Sequence, residues 1–257
     1  MLTPPEIARS LLAAGESKAR LPLGKMLLLA ILAGAYIALA GVGATAAAVT
    51  VESGSLAKLL SACVFPAGLS MVILAGSELF TGNCLMVMAL LERRITPAQL
   101  LRNWLTVYLG NAVGGAAVAA LAVYSHTASL FGDGLARSMV SIAESKAALG
   151  AGDAFLRGVL CNFLVCLAVW MAAASKRAEG KVIALFFPIL LFVLCGYEHC
   201  IANLYYLPAG AFAAAEYGME TTLTLAGCLE NLAAVTLGNL VGGAALGVGY
   251  RFAYLKE

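Results

Sequence analysis

The stretch Asn103-Trp-Leu-Thr-Val-Tyr-Leu-Gly-Asn111-Ala-Val-Gly-Gly-Ala116 recurs 128 residues later as Asn231-Leu-Ala-Ala-Val-Thr-Leu-Gly-Asn239-Leu-Val-Gly-Gly-Ala244. The shared pattern is N-x-x-x-V-x-L-G-N-x-V-G-G-A. Upstream of each copy lies a second motif, Gly76-Ser-Glu78-Leu-Phe-Thr-Gly-Asn83 in one half and Gly196-Tyr-Glu198-His-Cys-Ile-Ala-Asn203 in the other. These share G-x-E-x-x-x-x-N at an offset of 120. Two motifs repeated in the same order define an internal repeat.

The medium around that repeat follows from composition. Of 257 residues, 62% are hydrophobic and 12% charged, and the mean hydropathy is +0.92. A soluble domain carries about 25% charged residues, so this chain cannot cover itself with a water-facing surface. Six apolar stretches are long enough to cross about 30 Å of hydrocarbon as helices: 26–50, 58–91, 101–124, 154–174, 181–213 and 229–254. The first 25 residues lack the apolar run of a signal peptide and read as a short amphipathic, cytoplasmic segment. Twelve Lys/Arg lie on the side of the termini and four (Lys58, Arg137, Lys146, Arg157) on the other. That bias places both termini in the cytoplasm.

Each repeat, 26–125 and 153–254, holds three spans. Three is odd, so the second copy runs through the membrane upside down, the inverted-repeat arrangement of many transport proteins. The fold class is therefore all-α integral membrane, with the second and fifth helices broken at the G-x-E-x-x-x-x-N motifs. Backbone left unpaired inside a bilayer is tolerated only against protein or a water-lined cavity. Matching breaks in two halves point to a site at the midplane.

Residue types narrow that site. Gly110, Gly114 and Gly115, with Gly238, Gly242 and Gly243, have the small-residue spacing of closely packed helices. Asn111 and Asn239 are expected to bond the exposed backbone of the breaks. Glu78 and Glu198, with Asn83 and Asn203, recur in both halves and are expected to support the broken helices, each carboxylate accepting from its own orphan N–H groups. His199 occurs in one half only, opposite Leu79. A histidine at a midplane break is a functional candidate, able to donate a hydrogen bond or a proton.

Four segments, GSELFTGN (76–83), LCNFLVCLAVWMA (160–172), GYEHCIANL (196–204) and LAGCLENLAAVTLGN (225–239), resemble the formate/nitrite transporter family, closest in wording to its nitrite channels. The resemblance implies an aquaporin-like fold in a bacterial cell membrane and a homopentamer with one pore per protomer. It implies substrate contacts from Thr81, His199 and Asn162, and anion capture by Lys146. It also implies two hydrophobic constrictions, an outer one of Phe65 and Phe192 and an inner one of Leu69, Leu79, Phe80 and Val165. The implied cargo is a small weak-acid anion, nitrite or formate, with hydrosulfide as the alternative. Pro66, directly after Phe65, departs from the pattern expected of formate members and bears on the width of the outer constriction.

Other classes fit less well. The only aspartates, Asp133 and Asp153, flank the third loop, so no membrane aspartyl protease can be built. His126 lies in a loop and offers no haem pair to His199. An aquaporin-like pore for neutral solutes would want an Asn-Pro-Ala pair, and the chain has none. The seven cysteines fall mostly in apolar runs and show no metal-ligand spacing. No metal, cofactor or nucleic-acid partner is expected.

Overall fold

A computed structural model describes residues 1–255. Lys256, one of the charges behind the orientation argument, lies outside the described residues. The described chain is helical throughout: α1 (Pro4–Ala19), α2 (Leu23–Ala48), α3 (Gly54–Val64), α4 (Pro66–Ala75), α5 (Phe80–Asn83), α6 (Val87–Leu91), α7 (Pro97–Tyr124), α8 (Gly134–Ala147), α9 (Ala151–Ala173), α10 (Ala178–Leu194), α11 (Cys200–Glu216) and α12 (Leu225–Tyr254). Local rules set many of the ends. Pro97 opens α7 behind a capping box in which Gln99 N–H donates to Thr96 Oγ1 and Thr96 N–H to Gln99 Oε1. Thr224 caps α12 by accepting from Gly227 N–H.

Five helical stretches are long and apolar enough to cross a membrane: α2, α3 with α4, α7, α9 and α12. The remaining expected span, the fifth (181–213), is split into α10 and α11, of 17 residues each, by residues 195–199. Phe65 stays in the right-handed helical region at the α3–α4 junction. Pro66 therefore removes a backbone donor there without turning the chain aside.

Both breaks are made the same way. Gly76, at φ +78°, closes α4, and its N–H and that of Ser77 both donate to Val72 O. Gly196, at φ +69°, closes the other break, with Tyr197 N–H donating to Phe192 O. A left-handed residue ending a helix is the position where glycine avoids the Cβ penalty.

The halves run in opposite directions. The start of α7 meets α1, where Arg102 donates to Ala19 O and Leu21 O. By contrast, the start of α12 meets α8, with Asn231 Nδ2 donating to Lys146 O. The end of α12 returns to the α1 face, where Arg251 pairs with Glu92 at 2.7 Å. Each long helix lies against the first span of its own half, α7 on α2 and α12 on α9. A Cβ on Gly114 would collide with the carbonyl of Ile31, and one on Gly242 with that of Val159. The offset of 128 relates these two contacts.

The structure extends the repeat beyond the three spans. In the region between the halves, expected as a loop, α8 is the counterpart of α1. Ala8-Arg9-Ser10 and Glu16-Ser17-Lys18-Ala19 match Ala136-Arg137-Ser138 and Glu144-Ser145-Lys146-Ala147 at the same offset of 128. Each half is an amphipathic helix followed by three spans.

Candidate functional site

The two breaks meet at the centre of the protein, and one asparagine holds each from behind. Asn111 Oδ1 accepts from Phe80 N–H (3.0 Å), while its Nδ2 donates to Ala30 O and Glu78 O (2.7 and 2.9 Å). Asn239 repeats the pattern: Oδ1 accepts from Cys200 N–H (2.9 Å), and Nδ2 donates to Gly158 O and Glu198 O (2.8 and 2.9 Å). Both side chains are fully buried. They satisfy the backbone groups that the breaks orphan, as their type and spacing suggest.

The glutamates are arranged differently from the expectation. Neither carboxylate accepts from the orphan N–H groups: the asparagines take those of Phe80 and Cys200, and the N–H groups of Glu78 and Glu198 go to Leu29 O and Arg157 O. Glu78 accepts instead from Lys18 Nζ (2.7 Å) and Asn83 Nδ2 (2.7 Å), and Asn83 Nδ2 also reaches Asn103 Oδ1 (2.9 Å). Glu198 accepts from Lys146 Nζ through both oxygens (3.0 and 2.9 Å) and from Asn203 Nδ2 (2.7 Å), which also reaches Asn231 Oδ1 (2.7 Å). The result is two Lys–Glu–Asn–Asn clusters, one behind each break. Lys146 is thus no solvated loop charge: it ends α8 with a side chain only 15% exposed. Lys18 on α1, its counterpart, went unnoticed in the sequence reading. The E-S-K-A pair would have revealed it.

His199 and Thr81 meet where the halves join. His199 Nε2 lies 3.0 Å from Thr81 Oγ1, with both residues buried. The other ring nitrogen, Nδ1, accepts from Ala202 N–H (3.1 Å) as the N-cap of α11. A backbone N–H can only donate, so Nδ1 carries a lone pair. The ring is then neutral with its proton on Nε2, which donates to Thr81 Oγ1. The Thr81 hydroxyl hydrogen remains available to a third group.

A small chamber of about 10 Å³ lies beside His199, with room for about one water. Its wall is built of symmetry-related residues: Ile37 with Val165, Leu69 with Ile189, and Leu79 with His199 itself. The rings of Phe65 and Phe192, edge to face at 5.6 Å, close one side. Ile37 and Ile189 were missed in the sequence. The repeat offsets, 128 from Val165 and 120 from Leu69, lead directly to them. Phe80 departs from the expected inner constriction. It packs edge-on against Trp104 and Tyr108 and lines a groove between α7 and α12 instead. Leu79 is the extended N-cap of α5 (φ −111°, ψ 123°), and successive side chains of extended backbone point to opposite sides, so with Leu79 facing the chamber Phe80 faces away. Asn162 also differs: its Nδ2 is engaged by Thr81 O (3.2 Å) and Asn239 O (2.6 Å). It ties the Thr81 turn to α12.

Cavities open from the chamber to both faces. One of about 280 Å³ is lined by Lys18, Glu78, Leu69 and Leu79 and lies under α1. On the α8 face, one of about 130 Å³ holds Phe65, Phe192, Lys146, Glu198 and His199. Two mouths, each holding a Lys–Glu pair and separated by an apolar chamber with a single polar point, have the layout of a membrane passage.

Comparison with known proteins agrees. Residues 5–253 match the family model described as formate/nitrite transporter. The chain belongs to the formate/nitrite transporter family. It is 38% identical over 275 residues to a probable formate transporter of Methanothermobacter thermautotrophicus, covering 99% of this chain and 98% of that one. It is 39% identical to the formate channel of Haemophilus influenzae, covering 86% and 83%. Among solved structures it superposes on an FNT family ion channel with a TM-score of 0.87 at 32% identity, covering 96% and 98%. A pentameric formate channel with formate bound gives a TM-score of 0.81 at 32% identity, covering 91% and 98%. As a member of this family the chain is a multi-pass membrane transport protein, not an enzyme.

Proposed function

We propose that this family member conducts small monovalent weak-acid anions, nitrite or formate, which cross the chamber as the neutral acid. The contact of His199 Nε2 with Thr81 Oγ1, set beside an otherwise apolar chamber, carries this reading. Desolvating a bare anion among Phe and Leu side chains costs many kcal/mol, whereas the neutral acid costs far less. With Nε2–H held by Thr81 and Nδ1 capping α11, His199 serves as a hydrogen-bond donor. Giving up its only proton would leave an imidazolate, so the proton comes from water in the mouths. Thr81 supplies the second contact, and Asn162 fixes the Thr81 backbone. Lys146 donates to both oxygens of Glu198, and Lys18 to Glu78 and to Asn83 Oδ1 (2.9 Å), so each keeps one N–H that can donate to an anion already beside the chamber. The bias of basic residues supports a cytoplasmic α1 face in a bacterial inner membrane. The pentameric relative supports a ring of five protomers.

Stopped-flow uptake into proteoliposomes tests the reading. Nitrite or formate uptake should accelerate as external pH falls at constant anion concentration, since the neutral acid increases. Hydrosulfide uptake exceeding both would change the cargo. Uptake independent of pH would remove the neutral-acid route.

A further inference from the structure

Lys146 does not by itself give its mouth an attractive field, because Glu198 neutralises it at hydrogen-bond distance. Lys18 is likewise neutralised by Glu78, and these two are the only charged side chains lining the cavity under α1. The α8 face is different. Its inner cavity continues into an outer one of about 660 Å³, the two sharing Thr45, Lys58, Ser61 and Ile142. The outer cavity adds Arg137 and no carboxylate. The continuous space therefore contains Lys58, Arg137 and Lys146 against the single carboxylate of Glu198. Lys58 has no hydrogen-bond or ion-pair partner among the described residues. Arg137 donates only to Gly132 O, at 2.7 Å. The pair is also asymmetric: the offset of 120 puts Ala178 opposite Lys58, and Arg9, the counterpart of Arg137, does not line the cavity under α1.

We propose that Lys58 and Arg137 form an anion-collecting site at the α8 mouth, upstream of the Lys146–Glu198 pair and without an equivalent lining the cavity under α1. Its ligand class is the small monovalent anion, so as an uptake device it rests on the cargo reading above. Both residues are exposed, and cations without a carboxylate partner on the wall of an open cavity raise the local anion concentration and repel cations. Arg137 draws anions into the outer cavity, and Lys58, at the junction of the two cavities, passes them inward.

The local field can be read without any transport. Ser61 lines both cavities and is changed to cysteine in a background where exposed Cys63 and Cys195 are serine. The rates of labelling by an anionic (sulfonatoethyl) and a cationic (trimethylammonioethyl) methanethiosulfonate are then compared. Adding Lys58→Gln with Arg137→Gln should lower the anionic-to-cationic ratio on the order of ten-fold at low salt. At 1 M salt, where screening acts over about 3 Å, the difference should vanish. An unchanged ratio, or a fall that persists at 1 M salt, would overturn the proposal. In proteoliposomes the same substitutions should raise the KM for nitrite or formate several-fold at low salt when substrate is presented to the α8 face. An equal rise from the α1 face would also overturn it. Failure of the unsubstituted protein to pass any of these anions would sink the cargo reading, and the labelling ratio would still decide the collecting site.

Discussion

Replacing His199 by asparagine and, separately, by glutamine should divide its two duties between two variants. Asparagine Oδ1 occupies nearly the place of Nδ1 and can keep accepting from Ala202 N–H, but it stops short of Thr81. Glutamine Nε2 reaches the place of the ring Nε2 and can donate to Thr81, but it leaves Ala202 N–H without a partner. The wild-type contacts at stake are 3.1 Å to Ala202 N and 3.0 Å to Thr81 Oγ1, on a residue 3% exposed. Losing an N-cap costs about 1 kcal/mol, and orphaning a buried donor about 1–3 kcal/mol. His199→Gln should therefore unfold several degrees lower in detergent, while His199→Asn stays near wild type. Flux should move the opposite way. A hydrogen bond to a charged or polarised group is worth about 1.5–3 kcal/mol, or about ten- to a hundred-fold in rate. His199→Asn should lose that much nitrite or formate flux in stopped-flow proteoliposome assays, and His199→Gln should retain most of it. Equal loss of flux in both variants, with equal melting temperatures, would refute the division of labour between the ring nitrogens.

Two further outcomes follow from contacts away from that ring. Asn111→Leu and Asn239→Leu keep the side-chain volume but orphan one buried N–H each, that of Phe80 or Cys200, and take a donor from two buried carbonyls, so each should destabilise the protein by about 1–3 kcal/mol. A thermal-shift assay should rank both well below an exposed control such as Glu220→Gln. Glu144, on amphipathic α8, has its carboxyl held below the usual value of 4.5, first by Thr222 N–H and then by the Thr221 hydroxyl. Its contribution is present above pH 4.5 and is lost as pH falls through the lowered folded value. The protection factor of Thr222 N–H, the rate corrected for the intrinsic pH dependence of exchange, should therefore fall as pH drops below 4.5 and be low at all pH values in Glu144→Ala.

The sequence was legible where both halves keep the same chemistry. The N-x-x-x-V-x-L-G-N-x-V-G-G-A motifs reveal the packing glycines and the asparagines on the broken backbone, because each needs one residue type at one spacing. The role of Glu78 and Glu198 was not legible, because their partners, Lys18 and Lys146, lie 60 and 52 residues away on helices that read as a terminal segment and a loop. Phe80 was misplaced because motif position fixes a residue along the helix but not the direction it faces. The neutralisation of Lys146 is a tertiary fact with no local signature.

The two polar clusters behind the breaks also bear on how such a protein can change over time. A scaffold present twice is doubly constrained. Lysine, glutamate and the two asparagines must work as a set in each half, and losing one member strands a buried charge or amide. The chamber is under no such rule. Its departures from pairing, Leu79 against His199 and the two phenylalanines Phe65 and Phe192 against Leu185 and Val72, show that the lining of each half can drift alone once the backbone is secured from behind. Duplication of an ancestral half would thus leave one copy free to acquire a polar centre and the other to stay greasy. Family members of different cargo can then be expected to differ at the chamber wall while keeping both clusters intact.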